Sequence, residues 1–186
     1  MTQYGFYIDQ TRCIGCYACA VACKDWHDIE AGPAKWMRIK EIERGKFPDL
    51  YLAFLPFPCF HCADPACAKA CPVDAIIKRG SDGIVVVNRE LCLGKIECGE
   101  KCLKACPWDA PQFGVEENAK MQKCNLCIDR IEKGKQTICV EACPVYALDV
   151  GPLQEISNKY ETSDEVEGFK RSEKIRPSVI FKPKTK

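Results

Sequence analysis

Cysteine spacing constrains this chain more than any other feature of its sequence. The sixteen cysteines fall into four groups of four, and in every group the fourth cysteine lies four residues after the third. Thiols this close in sequence suit a loop that wraps around a metal better than bridges between distant segments. The groups are Cys13, Cys16, Cys19 and Cys23; Cys59, Cys62, Cys67 and Cys71; Cys92, Cys98, Cys102 and Cys106; and Cys124, Cys127, Cys139 and Cys143.

Two other uses of so many cysteines are a disulfide framework and a set of zinc ribbons. Disulfides belong to oxidising compartments, yet we expect no secretory signal, because residues 4–9 lead directly into the first cysteine group. Zinc sites usually show paired two-cysteine knuckles, whereas these cysteines come in fours. We therefore predict four [4Fe-4S] clusters and a role in moving electrons. The clusters must form much of the interior, since 186 residues are too few for an ordinary core as well.

Charge and hydropathy argue against several classes of partner. With 27 basic and 26 acidic residues the formal net charge is +1, so no bulk field favours nucleic acid or an anionic membrane. The longest apolar run, residues 50–60, is too short and too interrupted by proline to span a bilayer. We expect a cytoplasmic chain without direct membrane insertion. Export as the passenger of a partner's signal is the alternative.

The first cysteine group allows two ligand arrangements. Three cysteines, each separated from the next by two residues, can wrap one cubane, with Gly15 permitting the turn. On a helix Cys19 and Cys23 would share a face, but bacterial ferredoxins use such a last cysteine for the other cluster of a pair. His27 follows closely. We interpret it as a solvated or helix-capping residue rather than a ligand, because four thiolates already complete a cubane.

Two hairpins are indicated between the cysteine groups. Residues 34–57 contain two predicted strands that would form a packing layer and a partner surface. We expect Trp26 and Trp36 in the core. Residues 75–88 indicate two further strands joined by a turn that contains glycine. His61, inside the second cysteine group, would either donate to a cluster sulfide or be a partly exposed side chain on the ligand loop.

The third and fourth cysteine groups contain enlarged loops. Five residues separate Cys92 from Cys98, where the other groups have two. All four thiols of that group remain, so we still predict a cubane there. In the fourth group eleven residues separate Cys127 from Cys139, and residues 128–133 can make a short helix.

The last part of the chain changes character. Residues 147–150 indicate a strand that could pair with residues 4–9. From residue 152 onward the sequence turns polar, so this tail is either disordered or an arm laid on a partner. We favour the arm, because the tail contains apolar anchors. These anchors are Phe169, Val179, Ile180 and Phe181.

Taken together, these motifs resemble the four-cluster iron–sulfur subunit of the dimethyl sulfoxide reductase type, which serves molybdenum or tungsten bis-pterin oxidoreductases. The resemblance covers residues 4–150 and rests on CIGCYACAVACKDWH, PFPCFHCADPACAKACPVDAI, CLKACPWDAPQF and KCNLCIDRIEKGKQTICVEACPVYAL. It implies an α+β fold of two bacterial-ferredoxin-like [4Fe-4S] units, one inserted in the other, with short strands and helices and a C-terminal extension. The outer unit would comprise residues 1–52 and 116–151, the inner unit residues 53–115, and a C-terminal arm, residues 152–186, would dock on a partner.

The resemblance also implies the ligands of each cluster. In that family each group gives three cysteines to one cubane and its last cysteine to a paired cubane. The enlarged loop of the third group is the main departure from the family's spacing. Carried over, the four sets are Cys13, Cys16 and Cys19 with Cys143; Cys124, Cys127 and Cys139 with Cys23; Cys59, Cys62 and Cys67 with Cys106; and Cys92, Cys98 and Cys102 with Cys71.

In function the resemblance implies an electron-transfer subunit that is not an enzyme by itself, bound to a catalytic molybdenum- or tungsten-pterin subunit. That complex would be of the dimethyl sulfoxide reductase type, or of the tungsten aldehyde oxidoreductase or benzoyl-CoA reductase type. A further redox partner would be a flavin subunit, a ferredoxin or a membrane anchor. The alternative is a free soluble polyferredoxin that carries electrons between separate enzymes. The apolar residues 47–57 and the anchored tail favour the subunit.

Overall fold

Short strands and short helices alternate along the computed structural model, which describes residues 2–185. This mixture fits the ferredoxin-like class predicted from the sequence. The strands are β1 (Tyr4–Asp9), β2 (Arg38–Arg44), β3 (Tyr51–Phe57), β4 (Ile76–Lys78), β5 (Val85–Val87), β6 (Leu148–Pro152) and β7 (Val179–Lys182). The helices are α1 (Ala18–Trp26), α2 (Ala66–Lys69), α3 (Lys95–Cys98), α4 (Lys101–Ala105), α5 (Ile128–Ile131), α6 (Ile138–Glu141) and α7 (Leu153–Lys159).

A three-stranded sheet in the order β6-β1-β7 joins the two ends of the chain. β1 pairs antiparallel with β6, which confirms the pairing predicted for residues 4–9 and 147–150. On its other side β1 pairs in parallel with β7, with Phe6 opposite Val179. Both faces of β1 are covered as well, because Phe6 and Ile8 on one face are fully buried and Tyr7 on the other is 4% exposed.

Both predicted hairpins are confirmed. β2 pairs antiparallel with β3, and β4 pairs antiparallel with β5. β3 alternates over its first three residues: Tyr51 and Ala53 are buried, whereas Leu52 between them is exposed. One face of this hairpin therefore supplies core, as predicted, and its other face meets solvent.

The helices bring the cysteine groups together in pairs. α1 packs against α6, and α2 packs against α4. On α1 the two cysteines at Cys19 and Cys23 are buried on one face, as their spacing predicts. The short helix predicted for residues 128–133 forms as α5. Within residues 2–185 no helix combines the length and the apolar character needed to cross a bilayer.

The apolar anchors of the C-terminal tail pack on this chain itself. Val179 and Phe181 are fully buried in β7, and Phe169 lies against Phe60 with ring centroids 5.1 Å apart. The expectation that these side chains would hold the tail to a partner is therefore wrong. The sequence did not indicate that β7 pairs with β1 and completes the sheet. The tail is mostly polar, and this pairing joins opposite ends of the chain.

Candidate metal centres

The first and fourth cysteine groups lie together, with thiols close enough to shift one another's pKa. Burial raises the pKa of the Cys19 thiol to about 12, and the thiols of Cys139 and Cys143 add to the shift. Burial also raises the pKa of the Cys13 thiol, and Cys143 again contributes. Cys143, the last cysteine of the fourth group, therefore lies beside the first group.

Cys23, the last cysteine of the first group, lies beside thiols of the fourth group. Burial raises the pKa of the Cys23 thiol, and the nearby thiols of Cys139 and Cys127 raise it further. Nε2 of His27 lies 3.3 Å from Sγ of Cys127, within hydrogen-bonding distance. His27 occupies the C-cap of α1, as a helix-capping residue would. His27 therefore contacts a candidate ligand and is not itself one of the sixteen candidate ligands.

The second and third cysteine groups form a corresponding pair. Burial raises the pKa of the Cys62 thiol, and the thiols of Cys59, Cys67 and Cys106 contribute in that order. Cys59 and Cys67 belong to the same group as Cys62, whereas Cys106 is the last cysteine of the third group. The third group thus places its last thiol beside the first three thiols of the second group.

A cavity at the other end of this pair gathers one cysteine from the second group and three from the third. The enlarged loop between Cys92 and Cys98 forms α3, which leads into α4, and both cysteines still reach this cavity. The rest of the wall is largely apolar, which excludes water from the thiols. The thiols that line the cavity belong to Cys71, Cys92, Cys98 and Cys102. The apolar wall includes Ile76, Val87, Phe113 and Met121.

The pair formed by the first and fourth cysteine groups (the outer pair) meets the pair formed by the second and third groups (the inner pair) at Cys124. Burial raises the pKa of this thiol well above its usual range, and Cys23 and Cys59 are the next contributors. The preceding residue, Lys123, is 1% exposed, and its ammonium group donates to the carbonyl oxygens of Val85 and Cys124. A buried cation therefore lies at the junction of the two pairs.

A repeated turn supplies a backbone N–H to the last cysteine of three groups. In each, the sequence Cys-Pro-x-x-Ala places the alanine N–H on the cysteine sulfur. The residue before each alanine has a φ between 48° and 51°, so the chain turns back onto the thiol. Such donors stabilise thiolate over thiol. The bonds join Ala75 N to Cys71 Sγ at 3.3 Å, Ala110 N to Cys106 Sγ at 3.4 Å, and Ala147 N to Cys143 Sγ at 3.2 Å.

His61 is fully buried, so the alternative of a partly exposed side chain is wrong. Its Nδ1 accepts a hydrogen bond from the N–H of Val85 at 3.0 Å. Burial, together with the positive charges of Lys123 and Lys78, holds the pKa of His61 well below its usual range. Because Nδ1 accepts a hydrogen bond it carries no proton, so the imidazole is neutral in the fold.

Sequence reasoning placed one tryptophan wrongly and missed several donors to sulfur. Trp26 is 43% exposed and packs on the Arg130 guanidinium, so it does not lie in the core. Trp36 is partly buried against the core, as expected.

A side-chain donor to sulfur was also missed. The hydroxyl of Thr137 lies 3.3 Å from Sγ of Cys139. Threonine two residues before a cysteine is the only sequence signal that could have indicated this contact.

The donor set suits a cluster better than a single metal ion. All sixteen cysteines are free thiols. Among residues 2–185 no three side chains of His, Cys, Asp or Glu converge tightly enough to hold one ion. Four thiols line one largely apolar cavity, and backbone N–H groups donate to cysteine sulfur. Buried thiolates with such donors fit the ligand set of a cubane.

Comparison with known proteins agrees with this geometry. A family model described as a 4Fe-4S dicluster domain matches residues 50–153, and a second model of the same description matches residues 12–75. The probable anaerobic dimethyl sulfoxide reductase chain YnfG of Escherichia coli (strain K12) is 41% identical over 98% of this chain and 89% of its own length. The B subunit of anaerobic dimethyl sulfoxide reductase from the same organism is 40% identical over 98% of this chain and 89% of its own length.

A more distant relative is the protein NrfC of Escherichia coli (strain K12), which is 35% identical over 82% of this chain and 67% of its own length. Matches to two dicluster models agree with sixteen cysteines in four groups, which is the number that four cubanes require. The chain therefore carries four [4Fe-4S] clusters and belongs to the family of 4Fe-4S dicluster proteins that includes the B subunit of anaerobic dimethyl sulfoxide reductase.

Proposed function

We propose that this chain is the electron-transfer subunit of a molybdenum-pterin oxidoreductase complex of the dimethyl sulfoxide reductase type. The observation that carries the proposal is the pairing of the cysteine groups, first with fourth through α1 and α6 and second with third through α2 and α4, with Cys124 at the junction of the pairs. Four clusters in such an arrangement make a continuous path for single electrons. The near full-length similarity to proteins named as parts of a reductase supports a subunit over a free carrier.

We further propose that each group gives its last cysteine to its paired group. The shared cavity of Cys71 with Cys92 and Cys102 supports one exchange, and the nearness of Cys106 to Cys62 supports its counterpart. In the outer pair, Cys143 lies near Cys13 and Cys19, and Cys23 lies near Cys127 and Cys139. The proposed sets are Cys13, Cys16, Cys19 and Cys143; Cys124, Cys127, Cys139 and Cys23; Cys59, Cys62, Cys67 and Cys106; and Cys92, Cys98, Cys102 and Cys71.

The same pairing supports a division into two nested units. Residues 1–52 and 116–151 would form the outer unit, and residues 53–115 the inner unit inserted within it. The packing of α1 on α6 and of α2 on α4 agrees with this division. Because the apolar anchors of the tail face inward, residues 152–186 would contact a partner through their outward side chains only.

A [4Fe-4S] cluster, when bound, supplies a site that takes up and releases one electron at a time. The protein's own contribution is to hold the thiolates, exclude water and aim N–H groups at sulfur. Donors such as the N–H groups of Ala75 and Ala110 stabilise negative charge on the ligands, and burial among apolar side chains opposes it. These opposing effects set the reduction potential of each centre.

The β2–β3 hairpin provides a surface for the catalytic subunit. Phe47 in its connecting segment is 95% exposed, and Leu50 and Leu52 are also exposed. Residues that face solvent beside a well-packed strand suit contact with another protein. The further redox partner, which would be a flavin subunit, a ferredoxin or a membrane anchor, would bind to a different surface. We place the complex in the cytoplasm.

Purification at native abundance tests the subunit assignment. A tagged protein isolated anaerobically should carry a larger partner and stoichiometric molybdenum; tungsten in its place would assign a tungsten enzyme. Phe47→Ser combined with Leu50→Ser should reduce the partner recovered while leaving the iron content unchanged. Ile77→Ser is the matched control, since Ile77 is as exposed as Leu50 but lies on β4. A protein that elutes alone with iron and neither metal would favour the free polyferredoxin.

A further inference from the structure

His61 has an unusual position for a polar residue. It lies between Cys59 and Cys62 in the ligand loop, and it is fully buried. Its φ is 41°, a left-handed conformation that histidine tolerates better than most residues. The loop therefore turns the imidazole inward, away from solvent.

The hydrogen bond from Val85 determines which ring nitrogen carries the proton. Because the Val85 N–H donates to Nδ1, that nitrogen must present its lone pair. In a neutral imidazole the proton is then on Nε2. The remaining donor, Nε2–H, finds no acceptor among residues 2–185. A buried donor without an acceptor is costly, so an acceptor outside the protein chain is expected at this position.

Hydrogen bonds from distant segments hold His61 and its partner Val85 in place. The Val85 carbonyl oxygen accepts a hydrogen bond from the Lys123 ammonium group. Val85 is therefore held at its N–H by His61 and at its carbonyl by Lys123. The His61 carbonyl accepts from Nε2 of Gln3 at 3.1 Å and from Oγ of Ser178 at 3.0 Å. The backbone of His61 is thus held by the N-terminal and C-terminal segments, and its ring is oriented by the hydrogen bond from Val85.

We propose that Nε2–H of His61 donates to a sulfur atom of the cluster held by Cys59, Cys62 and Cys67, and thereby raises its reduction potential. This inference rests on the proposed ligand set. Cluster sulfurs are hydrogen-bond acceptors, and a reduced cluster carries more negative charge than an oxidised one. A donor at the sulfur therefore stabilises the reduced form more, which raises the potential. His61 acts as a positioning residue and not as an iron ligand.

Two substitutions separate the two ring nitrogens. His61→Asn keeps an acceptor for the Val85 N–H, because its side-chain oxygen can take the place of Nδ1. It is too short to place a donor where Nε2–H lies. His61→Gln retains an N–H donor at about the reach of Nε2 and gives up the inner acceptor. In redox titrations followed by electron paramagnetic resonance, His61→Asn should lower the potential of one cluster of the four, and His61→Gln should restore most of it. Unchanged potentials in a fully loaded His61→Asn protein would overturn the proposal.

The other histidine provides a matched control. The sequence has two histidines, and His27 lies near Cys127 in a different cysteine group. His27→Asn should leave the potential of the cluster that responds to His61→Asn unchanged. If both substitutions shift the same cluster, the effect does not arise from local donation, and the proposal fails.

A spectroscopic measurement tests the contact without changing His61. In a His27→Asn protein grown with ¹⁵N-histidine, His61 is the only labelled residue. Pulsed electron paramagnetic resonance of the reduced protein should detect weak ¹⁵N coupling of the size expected across a hydrogen bond. No coupling would refute the contact, and a strong coupling would instead indicate a direct iron ligand. Iron content measured on the same sample shows that all four clusters are present, so that an absent coupling reports on this contact and not on a lost cluster. A crystal structure with anomalous data at the iron edge tests the proposed ligand set separately.

Discussion

The indole of Trp108 stacks on the ring of Phe169, with centroids 5.5 Å and planes 13° apart. Trp108 follows the candidate ligand Cys106 by two residues, whereas Phe169 belongs to the C-terminal segment. The ring centroid of Phe169 also lies 5.0 Å from that of Phe181, a fully buried residue of β7. Aromatic packing therefore couples the end of the chain to the loop that follows a cluster cysteine, and the two should lose order together.

Phe181→Ala tests this coupling. Removing a fully buried phenylalanine leaves a cavity, so we expect a loss of about 3–5 kcal/mol in the free energy of unfolding. Anaerobic denaturant unfolding of the cluster-loaded protein measures it. Phe47→Ala is the control, because Phe47 is 95% exposed and its loss should change stability by less than about 0.5 kcal/mol. Equal effects of the two substitutions would show that the tail does not stabilise the fold.

Cluster removal should abolish the cooperative fold. Eight of the cysteines are buried, and several belong to the main core, so thiolate–iron bonds replace contacts that a small apolar core cannot supply. Four clusters of four irons correspond to about sixteen irons per protein molecule. We expect this content after anaerobic reconstitution, and loss of cooperative unfolding by circular dichroism after chelation. A native spectrum in the iron-free protein would contradict this dependence.

Lys123→Met should lower the reduction potential of at least one cluster beside the junction. Lys123 is 1% exposed, and its charge counters the rise that burial causes in the pKa of the Cys67 thiol. At an effective dielectric constant of about 20, a unit charge within about 10 Å of another contributes more than about 1 kcal/mol. Redox titration measures the shift. Lys133→Met removes an exposed, screened charge and should leave all potentials nearly unchanged.

Tyr7 should make stability depend on alkaline pH. Burial, aided by the nearby charge of Asp9, raises the pKa of Tyr7 to about 12 from an ordinary value of 10.0. Since the folded pKa is the higher one, this contribution is complete below about pH 10 and is lost as the pH rises towards 12. Denaturant unfolding at about pH 9 and about pH 11 should therefore show a steeper loss of stability in the parent protein than in Tyr7→Phe. Equal losses would contradict the assignment.

Local patterns predicted strands β1 to β6 and the helix face shared by Cys19 and Cys23, because these depend on nearby residues. Alternating and β-branched residues indicated β2 to β5, and cysteine spacing indicated that Cys19 and Cys23 share a helix face. The pairing of β1 with β6 also followed from two recognisable strands. The individual strands and the helix face are encoded within short stretches of sequence.

Other features that depend on distant residues were not predicted. β7 lies in a polar, proline-containing tail, and only its contact with β1 makes its apolar residues core. The burial of His61 likewise depends on Val85 and Ser178, which approach from elsewhere in the sequence. The repeated Cys-Pro-x-x-Ala turn was visible in the sequence, but its N–H donation becomes evident only once the positive φ before each alanine is known.

The exchange of last cysteines between paired groups is the central claim, because it joins four separate sites into one path. A crystal structure of the anaerobically purified protein, with anomalous data at the iron edge, tests it most directly. We predict four cubanes, with Cys71 Sγ bonded to iron of the cluster that Cys92, Cys98 and Cys102 hold. Cys71 bonded instead to iron of the cluster held by the rest of its own group would contradict the exchange.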